Sequence, residues 1–529
     1  MTRRLAAVAF ALCATTLTAA EKPNVVLIVF DDVGQRDLGC YGSTYHKTPH
    51  LDALAKQSVR FTEATSTGTA GSSVVAIMTG RESARYGATD ASPGLPSRPA
   101  DRLVGPKLTG LLPADVVLLP AALRAGGYDA QDITEVQGVR FDLASPKPPF
   151  YRSFRSLPQD VSPEVVAKYR PGKPGTQGNP ANAARLEALD DAVGRMLEAL
   201  DDAKLADNTI VVVTGTGGGV CTLNGQPQPP TFNGPFREGK GWLYEGGLRV
   251  PLLVRAPGVK PAVVAGAVDA IDLAPTLLDL CGVKIDAKDF DGVSLAKVLH
   301  GGALPARSLV HFFPHYSREG GKPGVAIRRG DWKLLVDYET DRGELFNLKT
   351  DPGEGRNVAA ENAKVVTELR GEIDAWIKSR GAKLPTPNPD YRPNPPDKDG
   401  VITMHARTAT VSGGQLRYEP LPHKNTLGYW VRVEDTAAFD FTVVTPGAYT
   451  VEVLQGCGKG SGGSEVELSV GASKLTFTVK DTGGFQAFER RAVGTLTVEK
   501  GKQTLTVTPL KKPGAAVMDL REVVLRPAK

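Results

Sequence analysis

The run NVVLIVF at residues 24–30 restricts the fold more than any other feature, because it stops abruptly at two carboxylates, Asp31 and Asp32. An unbroken apolar strand must be covered on both faces, which is how a central parallel strand reads. Residues 209–213 (TIVVV) have the same character and end in a Gly-rich turn. Between them, Leu186, Leu189, Val193, Met196, Leu197 and Leu200 recur at helical spacing, so a helix lays one face on the sheet. Strands alternating with helices define an α/β layered domain. Its functional loops gather at the carboxyl ends of the strands. A third strand is expected at 250–255, followed by a helix at 272–280 with Asp272 as N-cap and Pro275 in its first turn.

A chain of 529 residues exceeds one ordinary core. Residues 326–336 and 344–347 read as a small antiparallel subdomain closed by a helix at 363–379. From 381 to 400 the composition shifts to six prolines without apolar periodicity, the signature of an extended linker. Beyond it, period-two runs at 439–444, 449–454, 466–470, 475–479, 495–498 and 503–507 alternate with Gly-rich turns and predict a β-sandwich. The resulting scheme is a leader at 1–20, an α/β domain at 22–300, a subdomain at 301–380, the linker at 381–400 and an all-β domain at 401–529.

The leader carries Arg3 and Arg4, then an apolar run from Leu5 to Leu17, then Thr18, Ala19 and Ala20. This is the pattern of a secretory signal cleaved after Ala20, with an apolar run too short to span a membrane. The protein is therefore expected to be exported, to the periplasm or beyond, with no membrane span after cleavage. A formal net charge of +5 with scattered basic residues argues against a nucleic-acid partner. Cys40, Cys221, Cys281 and Cys457 remain after cleavage without a CxxC pair. One or two disulfides fit an exported protein, but the spacing assigns no pairing.

Several blocks carry a more specific signal: KPNVVLIVFDDVGQRDLGCYG, TPHLDALAKQSVRFTEA, MTGR at 78–81, GKGWLYEGGLRVPLLVRAPG and GDWKLLVDYETDRGELFNLKTDPGE. In this order, over residues 22–380, they resemble a sulfatase of the alkaline phosphatase superfamily, of the secreted bacterial arylsulfatase type. The resemblance implies a mixed α/β sheet with helices on both faces, a small α+β subdomain, and hydrolysis of sulfuric esters with a bound divalent cation.

The same resemblance exposes what is missing. Active members place a Cys or Ser, oxidised to formylglycine, eleven residues before the Arg of TGR; from Arg81 that count reaches Ala70. A methyl group cannot become an aldehyde hydrate, so no nucleophile stands there. The Arg that steadies it becomes Val74. The Lys and His of the family's G-K-W-H stretch become Glu135 and Gln137, and the metal-ligand pair of T-S-D-N-G becomes Thr216 and Gly217. Only Asp31, Asp32 and Lys240 match the family set. Losing one charge-stabilising donor costs about a hundred- to a thousandfold in rate. Glu135 would also repel each unit of substrate charge by roughly 3 kcal/mol at about 5 Å and an effective dielectric near 20. Calcium takes about six to eight oxygen ligands, so two aspartates predict no resident cofactor, or at most weakly bound Ca2+.

Alternatives stand beside this reading. Asp31 and Asp32 are either residual metal ligands or carboxylates that satisfy the backbone after a buried strand. Lys240 contacts substrate or neutralises those carboxylates. Thr69, Ser72 and Ser73 offer a hydroxyl to a phosphoesterase mechanism, and an active arylsulfatase-type hydrolase is the family-level alternative. None of the seven histidines falls on a family catalytic position; His311 and His315 are read as structural. In the sandwich, Tyr429, Trp430, Phe485 and Phe488 are either core or a platform for sugar rings. Its TPGAYTVEVLQGCGKGSGGSEVELSVG segment is similar to carbohydrate-binding modules. The expectation is a catalytically inactive sulfatase homologue that binds a sulfated or other polysaccharide, or a partner protein.

Overall fold

The computed structural model describes residues 21–89, 98–109, 112–131, 134–137, 147–157, 161–222 and 230–528. The leader at 1–20 lies outside them. An eight-stranded mixed sheet forms the first layer, in the order Asp129–Ala130, Phe150–Leu157, Asn24–Phe30, Thr209–Gly215, Leu252–Arg255, Val59–Thr65, Ala262–Asp269, with Thr134–Gln137 also paired to Phe150–Leu157. Asn24–Phe30 is central and runs parallel to both neighbours. Its side chains alternate between two cores. Val25, Leu27 and Val29 meet the helices Ala70–Thr79 and Leu273–Leu280, whereas Val26, Ile28 and Phe30 meet Pro49–Lys56 and Pro180–Asp202. That double burial explains the uninterrupted apolar run.

Leu252–Arg255 is antiparallel to both of its neighbours, a direction no periodicity reports. The helix Leu273–Leu280 forms as expected, but the Asp272 side chain does not cap it. Its carboxylate accepts instead from the Asp269 and Val293 amides and from Arg307.

A second, antiparallel sheet contains Ser308–Phe313, Gly324–Arg329, Trp332–Asp337 and Arg342–Asn347, with the helix Ala363–Arg380 packed on one face. Two further antiparallel sheets, of six and five strands, enclose one apolar core between Ile402 and Leu525. The proline-rich segment is docked rather than loose. Thr386–Pro387 pairs with Leu103–Val104, and the Asn388 side-chain amide donates to the carbonyls of Arg98 and Asp101. At its far end Asn394 donates to the Asp440 carbonyl of the β-rich part. Cys40, Cys221, Cys281 and Cys457 are free thiols, so no disulfide joins the described residues.

Candidate functional site

The carboxyl ends of Asn24–Phe30 and Thr209–Gly215 lie side by side, with Phe30 in register with Gly215. The residues immediately after them therefore face a common space above the sheet edge. Asp31 follows the first strand and is buried; Asp32 adopts the left-handed conformation at φ 62°. Strand alternation ends there, and a non-glycine residue held in this region marks a position fixed by its surroundings.

Each carboxylate is already engaged. One oxygen of Asp31 accepts from Thr216 Oγ1 at 2.8 Å. The other accepts from Arg155 Nε at 2.9 Å and lies 2.7 Å from Nη2. Lys240 Nζ donates to Asp32 Oδ1. Burial alone would lower the Lys240 pKa, but Asp32, Glu319 and Asp31 hold it above the usual lysine value. Two protein cations thus neutralise the two aspartates.

The helix Ala70–Thr79 closes the opposite side. Ala70 occupies its first position and is buried. One turn on, Ser73 Oγ donates to the Thr216 carbonyl at 2.6 Å, and the Thr67 hydroxyl lies 2.7 Å from Ser73. A Cβ on Gly217 would stand 3.2 Å from the Gly68 carbonyl oxygen, so the loop after the second strand rests on the turn before Ala70. Asp31, Asp32, Thr216 and Lys240 therefore meet, and the loop at Gly217 rests on the turn that precedes Ala70. Val74 faces the apolar core and takes no part. Glu135 and Gln137 sit on Thr134–Gln137, where Glu135 is in register with Arg155; their side chains lie outside the described residues.

Other chemistry near this point is inert. The hydroxyls of Thr69 and Ser72 bond to each other. Burial pushes the Cys221 thiol well above its ordinary pKa, so it stays protonated. His311 bonds Asp269 and His315 bonds Thr89, both buried and apart from each other's partners. In the β-rich part the four aromatic candidates do not form a platform. Trp430 is a core residue whose Nε1 donates to the Asp435 carbonyl, so of the two alternatives it takes the core one and is no sugar contact. Arg417 covers the Tyr429 ring at 3.8 Å, Arg521 covers Phe488 at 3.7 Å, and Phe485 packs against Gly458.

Arg155 is the site residue that the sequence reading missed. The signal was present: an arginine in FYRSFRSL, within a strand covered on both faces, demands a buried partner.

The mixed sheet, with two aspartates after its central strand Asn24–Phe30 and the helix Ala70–Thr79 nearby, has the fold class of the sulfatases. The family comparison agrees. The model for Sulfatase matches residues 23–145 and 151–283, and that for N-sulphoglucosamine sulphohydrolase, C-terminal, matches 237–379. The chain belongs to the sulfatase family.

Among relatives, a "Sulfatase" of Formosa agariphila is 32% identical over 282 residues, 47% of this chain and 49% of that protein. The match thus spans about half of that relative's length. Human arylsulfatase A is 28% identical over 479 residues, covering 69% of this chain and 90% of its own. The fold is shared with Ps i-CgsB, solved with k-i-k-neocarrahexaose, at TM-score 0.54 and 23% identity over 67% of this chain and 93% of that one.

Sulfatases usually bind a divalent cation, and the donor set here does not fit one. Three of the four oxygens of Asp31 and Asp32 already accept from Thr216, Arg155 and Lys240, and the facing loop offers Thr216 and Gly217 in place of carboxylate or amide ligands. Among the described residues one His/Cys/Asp/Glu trio has its ligand atoms together, His50, Asp190 and Asp191. Asp190 there accepts from the amides of His50 and Leu51, capping the helix Pro49–Lys56.

Proposed function

We propose that this chain is an exported, non-catalytic member of the sulfatase family that binds a sulfated glycan without cleaving it. A single observation carries the reading: Arg155 and Lys240 already balance the charge of Asp31 and Asp32, and the position that the family resemblance assigns to the nucleophile is the buried methyl of Ala70. Sulfuryl transfer needs an attacking oxygen and a cationic receptor for the developing charge. Here the oxygen is absent and the cations are spent on the protein's own carboxylates. No resident metal is part of this function.

A phosphoesterase using Thr69 or Ser72 is disfavoured by the same geometry, because the two hydroxyls are bonded to each other. The names of the relatives and the oligosaccharide bound to Ps i-CgsB support a glycan as the ligand. The basic and apolar leader supports export.

The test is calorimetric titration of the full chain with oligosaccharides of carrageenan and of chondroitin sulfate, followed by mass spectrometry of the recovered sugar. Binding with the sugar returned intact supports the proposal; return of a desulfated sugar contradicts it. An Ala70→Cys variant is expected to release no sulfate either, since restoring a sulfur atom restores neither metal ligands nor anion contacts.

A further inference from the structure

The seam between the second antiparallel sheet and the β-rich part contains two adjoining cavities. The smaller, about 140 Å³, is lined by Arg237, Arg342, Arg407 and Arg417. Among the described residues neither Arg342, Arg407 nor Arg417 has a carboxylate within ion-pair distance; Glu344 in the lining attracts Arg342 and Arg417 from farther off, and Glu238 attracts Arg417. Arg342 donates to the carbonyls of Val411 and Gly413, and Arg417 to those of Glu354 and Gly355, which position the guanidinium groups without neutralising them. Arg407 is exposed and makes neither kind of contact. Arg237 is paired with Glu238 and Glu344 at 3.6 and 3.9 Å, yet its buried Nε–H has no hydrogen-bond partner. Converging arginines of this kind are what a sulfate or carboxylate requires.

The larger cavity, about 560 Å³, lies within the range of small-molecule sites. It shares Gly320, Lys322, Arg407 and Tyr418 with the smaller one, so the two adjoin. Its chemistry is different. Arg98, Arg102 and Lys322 are balanced by Asp101, Asp440 and Glu339 at 2.9, 2.8 and 2.6 Å. Tyr316, Tyr391 and Tyr418 add partly buried rings. Balanced polar groups interspersed with tyrosines suit the hydroxyls and apolar faces of neutral sugar rings.

We propose that this seam binds an anionic oligosaccharide, its charged substituent held by Arg237, Arg342, Arg407 and Arg417 and its neighbouring rings lying in the larger cavity. The inference rests on the glycan-binding reading above and moves the ligand away from both the aspartate site and the outer face of the β-rich part. The anion is either an ester sulfate or a uronate carboxylate, and the arms of the test separate them.

The test is titration of the full chain with a κ-carrageenan hexasaccharide, carrying sulfate alone, a desulfated chondroitin hexasaccharide, carrying carboxylate alone, and a neutral agarose hexasaccharide. Each is repeated with Arg407→Ala, chosen because Arg407 holds no structural contact, and with Phe488→Ala on the outer face. The expected result is binding of at least one anionic sugar and not the neutral one, weakened about tenfold or more by Arg407→Ala and unchanged by Phe488→Ala. Binding that Arg407→Ala leaves intact, or equal binding of the neutral sugar, overturns this seam as the site while the glycan reading stands. Failure of both anionic sugars overturns the seam and the glycan reading together.

Discussion

Arg155 sits opposite Asp31 as a fixed positive charge, and the consequences of removing it are specific. Arg155→Met leaves the buried Asp31 carboxylate without its ion-pair partner, a loss of about 3–5 kcal/mol for a broken buried pair. The melting temperature measured by calorimetry is expected to fall accordingly, and millimolar Ca2+ is expected to raise it more in the variant than in the unmodified chain. An unchanged melting temperature would show that the pair contributes nothing. At this scale the sequence revealed absences better than replacements. Ala70, Thr216 and Gly217 were located by counting along the blocks that resemble the sulfatase family, whereas the Arg155–Asp31 contact joins residues 124 positions apart, which no local pattern encodes. Trp430 illustrates the opposite ambiguity: an aromatic in an alternating strand region looks the same whether it faces the core or a sugar, and only packing decides.

Among the elements, the proline-rich segment behaves as a strap. Asn388 holds it to the first layer through two side-chain donations, so Asn388→Ala is expected to cost about 1–3 kcal/mol and to make residues 381–400 more susceptible to limited proteolysis. Equal cleavage rates would contradict the docked description. Composition identified this segment as lacking regular structure of its own, yet its partners lie near residues 98–104, some 290 positions earlier for Asn388 and Arg98, beyond any sequence-local signal. The loop after Thr209–Gly215 is constrained for a different reason. A Cβ at Gly218 would stand 1.7 Å from the Gly246 carbonyl oxygen, so Gly218→Ala is expected to destabilise the chain by about 1–3 kcal/mol in chemical unfolding. The central strand, by contrast, was legible to the residue, because burial on both faces leaves no freedom in its composition.

For the whole molecule, pH is a probe of how the parts meet. Burial pushes the Glu238 carboxyl up to about 7 from an ordinary 4.5, opposed by Arg237 and Arg417, with Glu419 raising it further and Lys424 lowering it. The native state therefore binds the proton more tightly than the unfolded chain. This contribution to stability is present at low pH and is lost as pH rises from about 4.5 through 7. Asp519, also raised to about 7 by burial and Glu419, acts in the same direction. Glu238→Gln is expected to flatten the decline in melting temperature between these pH values; an unaltered profile would remove Glu238 from the account. The decisive measurement concerns catalysis itself: inorganic sulfate released from aryl and glycan sulfates by the purified chain, quantified by ion chromatography with and without Ca2+. The expected release equals that of an Asp31→Ala control under both conditions, and Ca2+-dependent sulfate release that the control abolishes would contradict the account.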